Sequence, residues 1–444
     1  MDKTLVKKPE IAVEDSKKSI KVNDLRLGKN NSEQLSFFKK INYELYFFIA
    51  LLFLASFSFT KVRADRVYDV YFNTFIFDYS IGFAPRLFIG SVMSLFTDFK
   101  SVRFMTGFMH ISHLLSYLIY SFVAGRLIRK AADDVRESVI YLIILFLVNP
   151  FSFSAISYRA ISVDHFTLVF TLLMLMVLTK SYFRWSVPLL IFVALATYMQ
   201  YAFLFMPIIA ILLLYELGKS DYSKKNIGLS IISFATMAFF SGYFYLFSGL
   251  KNYGNRNELL EYAGKMSDLI FDDFAKNVIH DYFLTSPFER FRFFSAADPN
   301  LVQKLKLDVI AKDIPYFIYA LPLFVFFVFV WKDAIKRAGK KFEKFIFALC
   351  MLAPLFRLPL LFLMTPDIIR AWIAVVTGQF FLLFFFVFRK DPFVLESVRR
   401  ARDFLKRHYL MSLLVLGFYA ISFLAFRSFR AWNVFVGTYH EALY

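Results

Sequence analysis

Three stretches each bring a carboxylate and an arginine together among apolar residues: DYSIGFAPRLFIGS (78–91), SYRAISVDHFTLVF (157–170) and MTPDIIRAWIAVV (364–376). The first supplies Asp78 and Arg86, and it follows a segment that carries Asp65 and Asp69 with Lys61, Arg63 and Arg66. The second supplies Arg159, Asp164 and His165, and the third Asp367, Arg370 and Trp372. Arg357 stands alone inside the apolar run that precedes the third. Ionisable groups next to spans are costly unless they face a polar cavity, a partner or a charged ligand. Their shared depth near one surface suits a site where membrane lipid meets an aqueous compartment. A transporter would place such groups near the midplane instead. In DYSIGFAPRLFIGS, Arg86 would lie at the depth of a lipid phosphate. The glycines would let backbone approach a ligand closely.

Each residue also has a plainer reading. Asp78 and Asp164 suit helix caps, and Arg86 and Arg159 suit arginines whose heads snorkel to the interface. Asp367 and Arg370 at i,i+3 suit a local ion pair of little energetic value. Trp372 suits an interface anchor. His110 and His113 at i,i+3 suit hydrogen bonds within a bundle, and without a third ligand they make no metal site. Asp272 and Asp273 in IFDDFAKN read as a solvated helix face. FERFRFFSAADP (288–299), with Arg290 and Arg292 among aromatics, fits either a sugar-phosphate or a headgroup contact. No phosphate-cradling glycine loop, dinucleotide fingerprint, HExxH or GxSxG occurs, so nucleotide hydrolysis and zinc proteolysis lack support.

The elements that must hold these residues follow from composition. Of 444 residues, 59% are hydrophobic and 20% aromatic, with 61 Phe. That is too little polar surface for a soluble domain of this length. Apolar stretches approach the ~20 residues a helix needs to cross ~30 Å of hydrocarbon. The expectation is an all-α polytopic membrane protein of eleven spans, at about 41–60, 104–124, 138–157, 163–180, 186–199, 201–217, 227–249, 315–331, 344–364, 370–388 and 409–427. The 32-residue run 186–217 is split by a break near Gln200 and Tyr201. As one span it would invert every later loop.

Charge sets the orientation. The +18 net charge sits in short segments such as RLIRKAADDVRE, GKSDYSKKN, KDAIKRAGKKFEK and RRARDFLKRH, the pattern of cytoplasmic loops rather than of a nucleic-acid surface. The segment 250–314 is slightly acidic, with nine Lys and Arg against ten Asp and Glu. The N-terminus is therefore expected inside and the C-terminus outside. Residues 1–40 read as a polar cytoplasmic tail with no signal-peptide core. Residues 41–249 read as an N-terminal bundle with a first outer loop at 61–103, whose 66–77 portion suits a juxtamembrane helix. Residues 250–314 read as a large outer loop and 315–444 as a C-terminal bundle. Cys350, alone in an apolar run, permits no internal disulfide.

This layout resembles the GT-C glycosyltransferases, multi-span enzymes that use polyprenyl-phosphate-linked sugars. DYSIGFAPRLFIGS, SYRAISVDHF and PDIIRAW resemble segments of bacterial polysaccharide-assembly proteins of GT-C or repeat-unit-polymerase type. The resemblance implies sugar transfer at the outer face of the bacterial cytoplasmic membrane, from a lipid-linked donor to a glycan acceptor. Asp78, then Asp69, would be the acid that activates the acceptor hydroxyl, with Asp164 and Asp367 orienting acceptor or sugar. Arg86, Arg159 and Arg370 would serve the phosphate. His165 beside Asp164 and the deep Arg357 are further substrate contacts on this reading. Many members carry adjacent acids in the first loop, whereas Asp65, Asp69 and Asp78 are isolated, so a divalent metal cofactor is not supported. Membrane lipids and an envelope-biosynthesis complex would be the partners. The rivals are an O-antigen or capsule repeat-unit polymerase using undecaprenyl-pyrophosphate-linked oligosaccharides, and a lipid-linked sugar flippase or transporter.

Overall fold

The computed structural model describes residues 42–59, 75–153, 164–180, 182–219, 222–247, 256–269, 283–284, 299–353 and 368–427. Hydrocarbon supplies no partner for a backbone N–H or C=O, so an apolar chain there satisfies itself by coiling. All regular structure among the described residues is helical. In chain order come α1 (Tyr43–Phe59), a 3-10 turn (Tyr79–Ile81), α2 (Leu87–Ser94), α3 (Val102–Lys130), α4 (Asp133–Val148) and α5 (Pro150–Phe153). Then follow α6 (Asp164–Leu178), α7 (Val187–Thr197), α8 (Tyr201–Leu204), α9 (Met206–Lys219), α10 (Lys224–Leu246) and α11 (Arg256–Met266). The last are α12 (Pro299–Arg337), α13 (Lys341–Leu352), α14 (Ile368–Phe388), α15 (Pro392–Arg407) and α16 (Tyr409–Arg427).

Three helices are long and apolar enough to cross a membrane: Val102–Lys130, Lys224–Leu246 and Phe317–Arg337. Trp372–Phe388 and Pro392–Arg407 make a fourth if they are taken together across a 118° bend. The outward faces of the three long helices carry exposed Leu114, Leu118, Ile231, Phe239 and Val325. Water would not tolerate so continuous an apolar exterior, and lipid does. The chain is a helical membrane protein.

At the centre stands α14. From Ala374 to Phe388 its side chains are almost all buried, including Phe380, Phe381, Phe385 and Phe386. It touches α3, α4, α5, α6, α8, α9 and α12. A helix apolar on every side has no surface to offer water, so its neighbours enclose it. One polar relay crosses this core: Trp331 Nε1 donates to Gln379 Oε1 at 2.6 Å, and Gln379 Nε2 donates to the Cys350 carbonyl at 2.8 Å. It links α12, α14 and α13 and satisfies every polar atom it uses.

Contacts define two ends. At one, Glu216 near the end of α9 takes Arg184, at 3.1 Å, and Arg389 just past α14. Arg389 also donates to the Leu178 carbonyl at the end of α6 at 3.2 Å. Lys130, the last residue of α3, lies 5.5 Å from the Phe388 ring centre. This is the basic end. At the opposite end lie Lys100 before α3, Ala196 near the end of α7, and α11.

The run 186–217 breaks at Tyr198–Gln200 and again at Phe205. Arg184, before the break, and Glu216, after it, share one ion pair, so the run returns to the end it left. Elsewhere the helices depart from the expected bounds. A 39-residue α12 begins at Pro299, inside the segment read as an outer loop, instead of near 315. Its first turns are rich in charge, which hydropathy discounts although helix propensity does not. The 118° turn before α15 uses Lys390 in the left-handed region (φ 52°) and Asp391, whose carboxylate accepts from Phe393 N at 3.1 Å and Val394 N at 3.2 Å. Val394, Val398 and Ala401 of α15 pack inward while Arg400 and Lys406 stay exposed, so α15 runs crosswise as an amphipathic collar.

Because Cys350 is buried, single cysteines can report the ends directly. Cysteine at the exposed Tyr182 and Tyr222 should react with an impermeant thiol reagent from one side of a sealed vesicle. Cysteine at the exposed Lys265 of α11 should react only from the other. Labelling of 182 and 222 from opposite sides would refute the returning run.

Candidate functional site

At the end opposite the basic one, Asp78 caps the 3-10 turn, and its carboxylate meets four donors. Oδ1 accepts from Ser80 N at 3.0 Å and from Ser80 Oγ. Oδ2 accepts from Ser94 Oγ at 2.6 Å and from Lys100 Nζ at 2.8 Å. Lys100 is fully buried and also donates to the Ile76 carbonyl at 2.7 Å. A carboxylate offers about four acceptor sites, and here all are taken. Asp78 pairs with Lys100 rather than Arg86, and it keeps no lone pair for a substrate hydroxyl in this arrangement.

The pair fastens several segments. The Lys100 N–H donates to the Met266 carbonyl at 2.7 Å, and Ser267 Oγ donates to the Lys100 carbonyl at 2.6 Å. Asp268 Oδ1 accepts from Val102 N at 2.7 Å, at the start of α3. Phe77 stacks on Tyr262 of α11 and meets Phe283 edge-on. The late loop is thus docked on the first through backbone and aromatic contacts. Gly90 explains how closely α2 lies: a Cβ there would stand 1.8 Å from the Phe77 carbonyl oxygen. The close approach this glycine permits is to the chain itself.

Arg86 sits at the N-terminus of α2 with φ 74°, a left-handed backbone that a side-chain-bearing residue adopts only under constraint. The constraint is visible. Its N–H donates to the Ala196 carbonyl at 2.7 Å, and its guanidinium lies 5.3 Å from the Tyr198 ring centre. Arg86 is 3% exposed. It is therefore a fixed positive charge held against the break in the 186–217 run.

His165, in the first turn of α6, is also buried. Its Nε2 is 3.2 Å from Ser112 Oγ, and its ring centre is 4.1 Å from that of His113. Ser112 Oγ also donates to the Met109 carbonyl at 2.8 Å, and which atom donates between Ser112 and His165 follows the His165 tautomer. His113 Nδ1 is 3.2 Å from the same carbonyl, while its buried Nε2 has no hydrogen-bond partner among the described residues. An imidazole whose Nδ1–H meets a carbonyl keeps a lone pair on Nε2.

Asp164 is the first residue of α6 and Arg370 lies in the first turn of α14, which puts both at helix N-termini. Asp69, Arg159, Arg357 and Asp367 lie outside the described residues. The structure brings His165 to Ser112 and His113, and Arg86 to Ala196 and Tyr198. Lys100 carries no motif in the sequence, where DFKSVRF reads as an ordinary polar approach to a span. Its one local signal is a lysine two residues before a helix that Ser101 caps, Oγ accepting from Phe104 N at 3.1 Å. Among the described residues no group of three or more His, Cys, Asp or Glu converges as a metal site.

No family model, no curated protein and no solved structure matches the chain.

Burial by itself would raise the Asp78 pKa, but Lys100, Ser80 and Ser94 outweigh it and hold it down to about 2. A carboxyl depressed in the folded state stabilises above its unfolded value, near 4, and that contribution disappears as pH falls through the folded value. Thermal stability of the full chain should therefore contain an acid-sensitive part lost between about pH 4 and pH 2, which Asp78→Asn removes. Asp78→Asn also strands the buried Lys100 ammonium, and uncompensated buried charge costs roughly 3–5 kcal/mol. Its melting temperature in detergent should fall sharply, while Asp78→Asn combined with Lys100→Met should recover part of the loss. Equal melting of wild type and Asp78→Asn would show that the pair bears no load.

Proposed function

We propose that this chain is an integral-membrane glycosyltransferase of GT-C type, moving sugar from a polyprenyl-phosphate donor to a glycan acceptor during cell-surface polysaccharide assembly. The observation that carries this reading is Arg86, a buried guanidinium fixed in a constrained backbone at the end of the bundle opposite the basic one. Arginine stays charged and grips phosphate with a planar fork, and a charge fixed in advance needs no reorganisation as the leaving group forms. On this reading the chain has eleven spans in the bacterial cytoplasmic membrane. The basic end is cytoplasmic, and the end bearing Arg86 faces outward.

The chemistry requires a base on the acceptor hydroxyl. Its oxygen attacks the anomeric carbon, the bond from that carbon to the phosphate oxygen breaks, and the electron pair leaves with the polyprenyl phosphate. Asp78, with its lone pairs committed to Ser80, Ser94 and Lys100, acts here as the positioning residue that holds the Arg86 segment. The proton then passes to Asp69 or Asp164. Arg159, Arg370 and Arg357 extend the phosphate site, while Asp367 and His165 contact sugar or acceptor.

The test is transfer from an undecaprenyl-phosphate-linked sugar by the purified full chain. Arg86→Lys keeps charge but loses the fork. It should cost about 10²-fold in turnover, the scale seen when one charge-stabilising donor is lost, with melting unchanged. Unchanged turnover in a folded Arg86→Lys protein would remove Arg86 from the reaction. A wild-type protein that transfers nothing but moves the lipid across vesicles would be a transporter.

A further inference from the structure

The break in the 186–217 run presents one polar side chain beside Arg86. From Ala194 to Ala202 every residue is buried except Gln200, which is half-buried. Its backbone is fixed, because the Gln200 carbonyl accepts from Phe203 N and Leu204 N, both at 3.0 Å, where α8 begins. Its side chain is fixed as well: the Tyr198 hydroxyl donates to Gln200 Oε1. Tyr198 is also the residue whose ring lies under the Arg86 guanidinium, 5.3 Å from the ring centre. One fully buried phenol therefore carries the guanidinium over its face and the amide at its hydroxyl end. The backbone adds a third tie, since the Arg86 N–H donates to the Ala196 carbonyl two residues before Tyr198.

A buried tyrosine hydroxyl needs a partner, and a single acceptor is enough. That need accounts for Gln200 Oε1 and leaves the other end of the amide unexplained. The amide nitrogen carries two N–H donors, and among the described residues Gln200 Nε2 has no partner. With Oε1 held by the phenol, Nε2 is turned away from it, so both donors are aimed before any ligand arrives. Donors beside a fixed guanidinium complement the several oxygens of a phosphate ester, the fork taking two and the amide another. A neutral amide also costs less to bring out of water than a second cation would.

We propose that Gln200 binds phosphate in the same site as Arg86, its Nε2 donating to a phosphoryl oxygen of the lipid-linked donor. Tyr198 is the positioning residue that serves both. The identity of the ligand rests on the transfer reading, while the phosphate contact itself can be measured with no transfer step. When the bond to the anomeric carbon breaks, the leaving phosphate gains negative charge. A donor already in place meets that charge without reorganisation.

The test is binding of undecaprenyl phosphate, with undecaprenol as the phosphate-free control, by native mass spectrometry of the full chain in detergent. Wild type should hold the phosphate well above the alcohol. Gln200→Leu should weaken undecaprenyl phosphate about tenfold, the scale of one hydrogen bond to a charged group, and leave undecaprenol and melting unchanged. Gln200→Glu keeps the size and the acceptor for Tyr198 but sets a carboxylate against the phosphate, so it should weaken binding further. Tyr198→Phe keeps the ring under Arg86 and releases the amide, and it should cost a smaller part that is again specific to phosphate. Equal retention of undecaprenyl phosphate by wild type and Gln200→Leu would overturn the proposal. So would equal losses of phosphate and alcohol, which mark a purely structural role, or a wild type with no preference for the phosphate. A chain that binds through Arg86 and Gln200 yet transfers no sugar would refute the transfer reading and leave this site standing.

Discussion

The buried pair of Asp78 and Lys100 is the constraint on which one end of this protein depends. Neither charge would leave water for the other alone, since desolvation can exceed the attraction regained. What makes the pair tenable is that Ser80, Ser94 and the Ile76 carbonyl meet the remaining acceptor and donor capacity. Once in place, it decides more than its own location. The backbone at Lys100 receives the end of α11 and the residue after it, and Asp268 closes the start of α3. Two segments 166 residues apart in sequence thereby become one wall. Arg86 is carried on that wall, pinned by Ala196 into a backbone it would not choose.

The opposite end is organised on another plan. Glu216 is shared by Arg184 and Arg389, which gathers the ends of α6, α9 and α14 and the start of α7 around one carboxylate. Surplus cations remain after that carboxylate is used. Between the ends runs α14, held mainly by dispersion among Phe rings, with the Trp331–Gln379–Cys350 relay as its polar register mark. Charge thus fixes the ends of the bundle while aromatic packing fills the middle.

Much of the helix layout was legible. The expected span at 163–180 lies close to α6, and the break foreseen near Gln200 falls beside the turn that returns the chain. Hydropathy finds such elements because hydrocarbon leaves helices as the only solution for an open chain. It underestimates α12, whose first turns are charged, and it truncates α3, which ends in Arg129 and Lys130 rather than near 124. The site was less legible. Asp78 and Arg86 stand out by residue type, but the partner of Asp78 is a lysine 22 residues on, fully buried, with no local motif to mark it. His165 meets His113 across two helices and 52 residues of chain, which no local spacing encodes.

The measurement that addresses the central claim most directly is a cryo-electron microscopy structure of the full chain with a non-transferable undecaprenyl-phosphate sugar analogue. The account predicts the phosphate within hydrogen-bond distance of the Arg86 guanidinium, with the Asp78–Lys100 pair intact beside it. A phosphate at the basic end, with nothing at Arg86, would contradict it.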